Sequence, residues 1–106
     1  MKKKLVILGG GESGVGAAIL AQNQGYEVFL SDWGKIDAHF KQELESHQIE
    51  FEDEKHSLNK MQNTSLVIKS PGIPETANII QAVRNEKIQL ISEVEFASRY
   101  AEAPII

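Results

Sequence analysis

Apolar residues recur along this chain in short runs that alternate with longer stretches of helical spacing. The runs contain β-branched residues and are bounded by polar or turn-forming residues, so they predict five strands. A regular alternation of strand and helix is typical of a mainly parallel sheet that helices cover on both faces. The predicted strands are Lys4–Gly9, Glu27–Ser31, Ile49–Phe51, Leu66–Ile68 and Gln89–Ile91.

Each predicted helix has a local start or stop signal besides its apolar spacing. Gly25 follows the first helix, Asp37 is placed to cap the second, and Pro74 suits the first turn of the third. Ser92 with Glu95 three residues on forms a capping box for the fourth. We therefore expect an α/β, Rossmann-like, doubly wound fold. The predicted helices are Ser13–Gln24, one through Ile36, Phe40 and Leu44, one from about Glu75 with Ala77, Ile80 and Val83 inward, and one with Phe96, Ala97, Tyr100 and Ala101 on one stripe.

The length of the chain predicts one domain and its last residues predict a continuation. The 106 residues, 42% of them hydrophobic, suffice for one ordinary core. Between Glu52 and Thr64 the chain is polar, and Leu58 and Met61 are spaced for a single helical turn. The segment 104–106 resembles the opening of another apolar strand, so we expect a domain over 1–103 and an N-terminal piece of a longer protein.

Charge and composition exclude several classes of function. A net charge of −4 disfavours nonspecific nucleic-acid binding, and Lys2–Lys4 is interpreted as a solvated edge. The absence of cysteine excludes disulfides, thiolate metal sites and a cysteine nucleophile. No apolar stretch approaches the roughly 20 residues that span a bilayer. We expect a cytoplasmic protein with neither nucleic acid nor membrane as a partner.

A glycine-rich turn follows the first predicted strand. Gly9, Gly11 and Gly14 have the G-x-G-x-x-G spacing, which allows a tight turn, close approach of a diphosphate and close packing of helix on strand. Glu12 inside this turn would repel a diphosphate unless it points to solvent, so the backbone would do the binding. The turn predicts a nucleotide-phosphate site, with a purely structural turn as the alternative.

Two further segments are expected at the same edge of the sheet, where ligands of doubly wound folds bind. Asp32 lies eighteen residues after Gly14, near the spacing at which an acid contacts a ribose or base. Its alternative role is to begin a turn. Trp33 can stack on a base or shield the sheet edge. Ser70-Pro71-Gly72 suits close approach of backbone to a ligand, and as a bare tripeptide it is also an ordinary turn.

No set of residues indicates a catalytic or metal centre. His39, His47 and His56 lack metal-ligand spacing, and the first two are expected on a solvated helix face. Glu93 and Glu95 are interpreted as helix-capping and helix-dipole residues. A G-x-x-x-x-G-K-[ST] loop is absent, so we expect no ATP hydrolysis by this chain alone.

Three motifs together resemble the N-terminal domain of a Mur ligase, of the type that adds D-glutamate in peptidoglycan synthesis. They are Gly9–Gly14, Ser70–Pro74 and Ile91–Phe96, and the resemblance covers essentially the whole chain. It implies that this domain holds the UDP moiety of UDP-N-acetylmuramoyl-L-alanine. ATP with Mg²⁺ in a central domain would activate the substrate carboxylate as an acyl phosphate, and the amine of D-glutamate would attack it.

The resemblance also assigns roles by position. Gly11, Glu12, Ser13 and Gly14 would surround the diphosphate, Asp32 and Trp33 would meet the uracil, and Ser70, Pro71 and Gly72 would flank the sugar-phosphate region. The family often has threonine and arginine after the aspartate, whereas this chain has Trp33 and Gly34. A guanidinium contact is therefore in question, and stacking by Trp33 is its expected replacement.

Two other classes of function fit the same residues. A regulatory domain that binds NAD would have a similar glycine turn and a similar acid after the second strand. An interaction module of this fold without any ligand would also have the same strand and helix pattern.

Overall fold

The computed structural model describes residues 2–74 and 76–100 and contains the five predicted strands close to their predicted positions. The strand boundaries differ from the predicted ones by at most two residues at either end. The strands are β1 (Lys4–Leu8), β2 (Glu27–Ser31), β3 (Glu50–Glu52), β4 (Thr64–Lys69) and β5 (Gln89–Ser92), and the helices are α1 (Glu12–Asn23), α2 (Ala38–Ser46), α3 (Asn78–Asn85) and α4 (Glu93–Arg99).

The strands form one sheet in the order β3-β2-β1-β4-β5. All four neighbouring pairs are parallel, with Val6 of β1 opposite Phe29 of β2 and Val67 of β4. The chain proceeds outward from β1 through β2 to β3 and then crosses back to β4, so the strand order reverses between β1 and β4. In such sheets the loops that follow the two strands at the reversal diverge and leave a crevice. The predicted doubly wound α/β fold is confirmed.

Helices cover both faces of the sheet because successive side chains of a buried strand point in opposite directions. Leu5 and Ile7 of β1 pack with α1, α2 and α4 on one face. Val6 and Leu8 pack with α3 on the other. All four of these side chains are fully buried, so β1 is the centre of the molecule.

Several local signals act as predicted. Gly25 follows α1 with a φ of 92°, and the Asp37 side chain caps α2 by accepting the His39 N–H. Leu58–Met61 forms a single 3₁₀ turn in the polar connection. The Ser92 hydroxyl accepts the Glu95 N–H at the start of α4.

Other details differ from the prediction. Helix α3 begins at Asn78, not near Glu75, because the Ile73 N–H donates to Ser70 O and the Ala77 N–H donates to Pro74 O, so that turns precede the helix. Pro74 therefore belongs to a turn outside the helix.

The stripe predicted for α4 is also partly wrong. Ala97 is exposed, whereas Glu93, Phe96 and Tyr100 face inward at spacings of three and four. Ala101, which the same stripe included, and the segment 103–106 lie outside the described residues, as does Glu75 itself. No helix within residues 2–74 and 76–100 is long and apolar enough to cross a membrane.

Candidate functional site

A cleft of about 670 Å³ lies at the carboxyl edge of the sheet, between the loops that follow β1 and β4. The turn after β1 supplies Gly9–Gly11 to its wall, the loop after β2 supplies Asp32 and Trp33, and the loop after β4 supplies Ser70 and Gly72. The three segments that the sequence placed at this edge therefore do meet.

Backbone conformation at Gly9 and backbone contact at Gly14 disfavour a side chain at these two positions of the glycine turn. Gly9 has a φ of 117°, which L side chains rarely adopt, and a Cβ there would lie 2.7 Å from the Ser70 Cβ. A Cβ on Gly14 would lie 1.9 Å from the Gly9 carbonyl oxygen, so α1 can approach the turn only without a side chain at this position. Among the described residues, and apart from its own chain neighbours, such a Cβ on Gly11 would meet no atom within 4 Å and would lie in open space.

Asp32 connects two of the loops that line the cleft. One carboxylate oxygen accepts the Gly10 N–H at 2.7 Å and the other accepts the Gly34 N–H at 2.8 Å. The second bond closes a turn, so the structural alternative for Asp32 is realised, although the residue also lines the cleft. Both loops are thereby held in one arrangement around the cleft.

An apolar surface adjoins Asp32. The Trp33 ring is 74% exposed and lies 5.8 Å from the His56 ring, centroid to centroid, at an interplanar angle of 36°. Leu58 is 57% exposed and lines the same cleft. Exposed side chains of this size beside a polar turn can take up a planar aromatic ligand.

Buried polar groups support this surface from behind. The fully buried Ser31 hydroxyl contacts the Glu52 carboxylate at 2.8 Å and His56 Nδ1 at 2.7 Å. Hydrogen bonds from Ser57 and Ser31, with the nearby charge of Lys55, hold the pKa of Glu52 below its usual value although burial acts in the opposite direction. The negatively charged Glu52 carboxylate therefore anchors the loop after β3 by accepting these hydrogen bonds.

The remaining predicted residues lie beside the cleft and not in its wall. Glu12 is exposed to solvent, as a binding role of the backbone requires. The Ser13 hydroxyl donates to Glu93 at 2.9 Å, Gly14 is buried against Gly9, and Pro71 is exposed. Contact between any of the predicted residues and a ligand stays a prediction.

The sequence pattern did not predict that His56 and Leu58 line the cleft or that Glu93 is buried. His56 follows β3 at the carboxyl edge of the sheet, and that position alone could have indicated the cleft. Glu93 is only 6% exposed, and one of its oxygens has no hydrogen-bond partner within the described part of the chain. Burial raises its pKa, and the hydrogen bond from Ser13 counteracts this in part.

No metal-binding group is found in the part of the chain that the structure describes. Within residues 2–74 and 76–100, no three His, Cys, Asp or Glu side chains are arranged to hold an ion.

Comparison with known proteins places the chain in a family. A family model described as the MurD N-terminal domain matches residues 4–79. The UDP-N-acetylmuramoylalanine–D-glutamate ligase of Christiangramia forsetii is 53% identical over 106 residues, which are 100% of this chain and 24% of the relative. The enzyme of the same name from Porphyromonas gingivalis strain W83 is 48% identical over 97% of this chain and 23% of the relative.

Solved structures agree on the fold. A murein peptide ligase from Psychrobacter arcticus superimposes with a TM-score of 0.83 at 22% identity, over 93% of this chain and 21% of that protein. This chain thus spans about a quarter of the length of the curated relatives it matches. The matches do not favour an NAD-binding regulatory domain. Because the family model covers most of the chain, the chain belongs to the MurD N-terminal domain family.

Proposed function

We propose that this chain binds the UDP moiety of UDP-N-acetylmuramoyl-L-alanine within a ligase that adds D-glutamate during peptidoglycan synthesis. The names of the two relatives support this substrate and this activity. The observation that carries the proposal is the cleft at the strand reversal, whose wall combines an open glycine turn with an exposed tryptophan.

The two ends of the cleft suit the two ends of a nucleoside diphosphate. Gly11 is the N-cap of the twelve-residue helix α1, so the first N–H groups of this helix and its positive dipole end lie at the turn. The exposed face of Trp33 suits a base, and Ser70 and Gly72, which also line the cleft, would flank the sugar-phosphate region.

The chemical step belongs to other parts of the ligase in this proposal. ATP and Mg²⁺ would bind in a central domain, where the substrate carboxylate becomes an acyl phosphate that the amine of D-glutamate attacks. This chain would hold the UDP end of the substrate at a fixed distance from that reaction. It would contribute binding and orientation and would have no catalytic residue.

Trp33 offers a direct measurement because it is the only tryptophan in the chain and is exposed in the cleft. We expect saturable changes in its fluorescence, and amide shifts at Gly11 and Asp32, on addition of UDP or the UDP-linked substrate. NAD should produce neither. Shifts at the same positions with NAD alone would contradict the proposal, as would the absence of any saturable change with UDP.

A pair of glycine variants separates binding from folding. Gly11→Val places a side chain in the open space before α1, whereas Gly16→Val places the same side chain in open space on the side of α1 away from the cleft. We expect Gly11→Val to weaken UDP binding by about tenfold or more, equivalent to about 1.4 kcal/mol. Gly16→Val should bind as the parent chain does, and equal weakening in both would remove the glycine turn from the site.

A further inference from the structure

His56 is held in the cleft by one edge of its ring. Its Nδ1 lies 2.7 Å from the buried Ser31 hydroxyl, and its ring leans against Trp33. Because the two nitrogens lie on different edges of an imidazole, Nε2 is directed away from Ser31. Within residues 2–74 and 76–100, Nε2 has no hydrogen-bond partner, and His56 lines the cleft.

The contacts of Ser31 determine which nitrogen of His56 carries the proton. The Ser31 hydroxyl has one proton, and besides His56 it contacts the Glu52 carboxylate at 2.8 Å and the Lys55 carbonyl at 3.1 Å. Both of these oxygens only accept, so the serine proton is directed to them. The contact with His56 is then a bond in which Nδ1–H donates to the serine oxygen.

The protonation state of His56 determines whether its second ring nitrogen, Nε2, is a donor or an acceptor. Burial lowers the pKa of His56, and the carboxylates of Glu52 and Asp32 counteract this only in part. The ring is therefore neutral at neutral pH. With the single proton on Nδ1, Nε2 is a hydrogen-bond acceptor.

We propose that His56 Nε2 accepts the N3–H of a uracil that lies on Trp33, and so selects uridine over cytidine nucleotides at this site. Uracil presents N3–H as a donor, whereas N3 of cytosine is an acceptor and would face Nε2 without a proton between them. A base on the same face of the indole as His56 would meet the imidazole edge to edge. This inference rests on the proposed function, because it assigns base selection within the same cleft.

Nucleotide titrations of four chains test the inference. We expect the parent chain to bind UDP about tenfold tighter than CDP, equivalent to about 1.4 kcal/mol, because two acceptors face each other in the CDP complex. His56→Phe keeps a flat ring beside Trp33 but lacks Nε2, so its ratio of UDP to CDP affinity should fall to about one. Ser31→Ala removes the acceptor for Nδ1–H and should also lower the ratio. His39→Phe, at an exposed position on α2 outside this cleft, should keep the parent ratio.

The outcomes distinguish this inference from the proposed function. If His56→Phe binds UDP with the parent ratio, base selection by His56 is overturned while UDP binding stands. If the parent chain binds neither UDP nor CDP, both proposals fail.

A measurement on the parent chain avoids any folding defect of a variant. Nitrogen-15 spectra of the imidazole show which nitrogen carries the proton. We expect Nδ1 to be protonated in the free chain, with a shift of the Nε2 signal on addition of UDP. A proton on Nε2 at neutral pH would overturn the inference without any ligand.

Discussion

Gly14 and Gly16 lie two residues apart in α1 and have opposite surroundings. A Cβ on Gly14 would meet the Gly9 carbonyl oxygen at 1.9 Å and a Glu93 carboxylate oxygen at 3.3 Å. In the part of the chain that the structure describes, a Cβ on Gly16 would meet nothing within 4 Å beyond its chain neighbours and the backbone of its own helix. A substitution at Gly14 therefore tests the packing of α1 against the glycine turn. A substitution at Gly16 tests the intrinsic preference of a helix for alanine over glycine.

The substitution Gly14→Ala should lower the free energy of unfolding by about 1–3 kcal/mol, because the backbone carbonyl of Gly9 cannot move aside without disturbing the turn. Gly16→Ala should raise it by about 0.5–1 kcal/mol, since alanine loses less backbone entropy in a helix. Urea denaturation of both variants measures the two effects. Equal stabilisation by the two substitutions would contradict the packing described here.

Glu93 should make stability depend on pH in a defined direction. Because burial raises its pKa in the folded chain, the contribution of Glu93 to stability is complete below its ordinary pKa and is lost as pH rises through the raised value. Glu93→Gln keeps the shape of the side chain without this titration. We expect the variant to gain stability relative to the parent as pH rises from acidic to neutral, measured by thermal unfolding at several pH values. A constant difference between the two chains would show that Glu93 titrates normally.

At the scale of the element, the stability of helix α4 depends more on Ser92 than on Glu95. The Ser92 hydroxyl accepts the Glu95 N–H, whereas the Glu95 carboxylate is paired with Arg99 at 3.1 Å on the surface. Of the two hydrogen bonds that define the predicted capping box, the described residues therefore form only the one from the Glu95 N–H to the Ser92 hydroxyl. A hydroxyl at a helix N-cap stabilises more than an exposed ion pair does.

We expect Ser92→Ala to cost about 0.5–2 kcal/mol of unfolding free energy, because it leaves an N–H of the first turn without its acceptor. Glu95→Gln should cost no more than about 0.3–0.5 kcal/mol, since it removes only a solvent-screened pair. Chemical denaturation compares the two. A larger loss from Glu95→Gln would reverse the assignment of the cap.

Sequence patterns predicted the central strands well because β1, β2 and β4 each contain an apolar run between polar or turn-forming residues. They predicted the start of α3 poorly, because Pro74 fits a turn as well as a first helical turn. The stripe of α4 was misread because periodicity favours an alanine over a glutamate at an inward position. The Ser13 hydroxyl, 80 residues away in the chain, donates to this buried glutamate, and a local sequence pattern does not reveal such a contact.

Part of the candidate site could also be predicted from the sequence. The glycine turn, Asp32 and Ser70 were predictable because each directly follows a strand at a known edge of the sheet. His56 was harder to predict, because three residues separate it from β3 and its side chain is held in the cleft by Ser31 of another strand.

At the scale of the whole molecule, burial falls from the centre of the sheet to its edges. Leu5–Leu8 of β1 is fully buried, whereas the edge strand β3 has three residues and one exposed side chain, Glu50. We expect amide exchange to be slowest in β1 and fastest among the strands in β3, because opening an edge disrupts fewer buried contacts. Hydrogen exchange followed by NMR measures this order, and uniform protection across the sheet would contradict it.

The strand order has a consequence for how the protein is made on the ribosome. Of these strands β1 is synthesised first, and its partner β2 begins at Glu27, but its other neighbour, β4, begins only at Thr64. During synthesis one side of the most apolar strand therefore has unpaired backbone groups until the second half of the chain emerges. A nascent chain halted before Thr64 should attract chaperones or self-associate, whereas one that has released β4 should not.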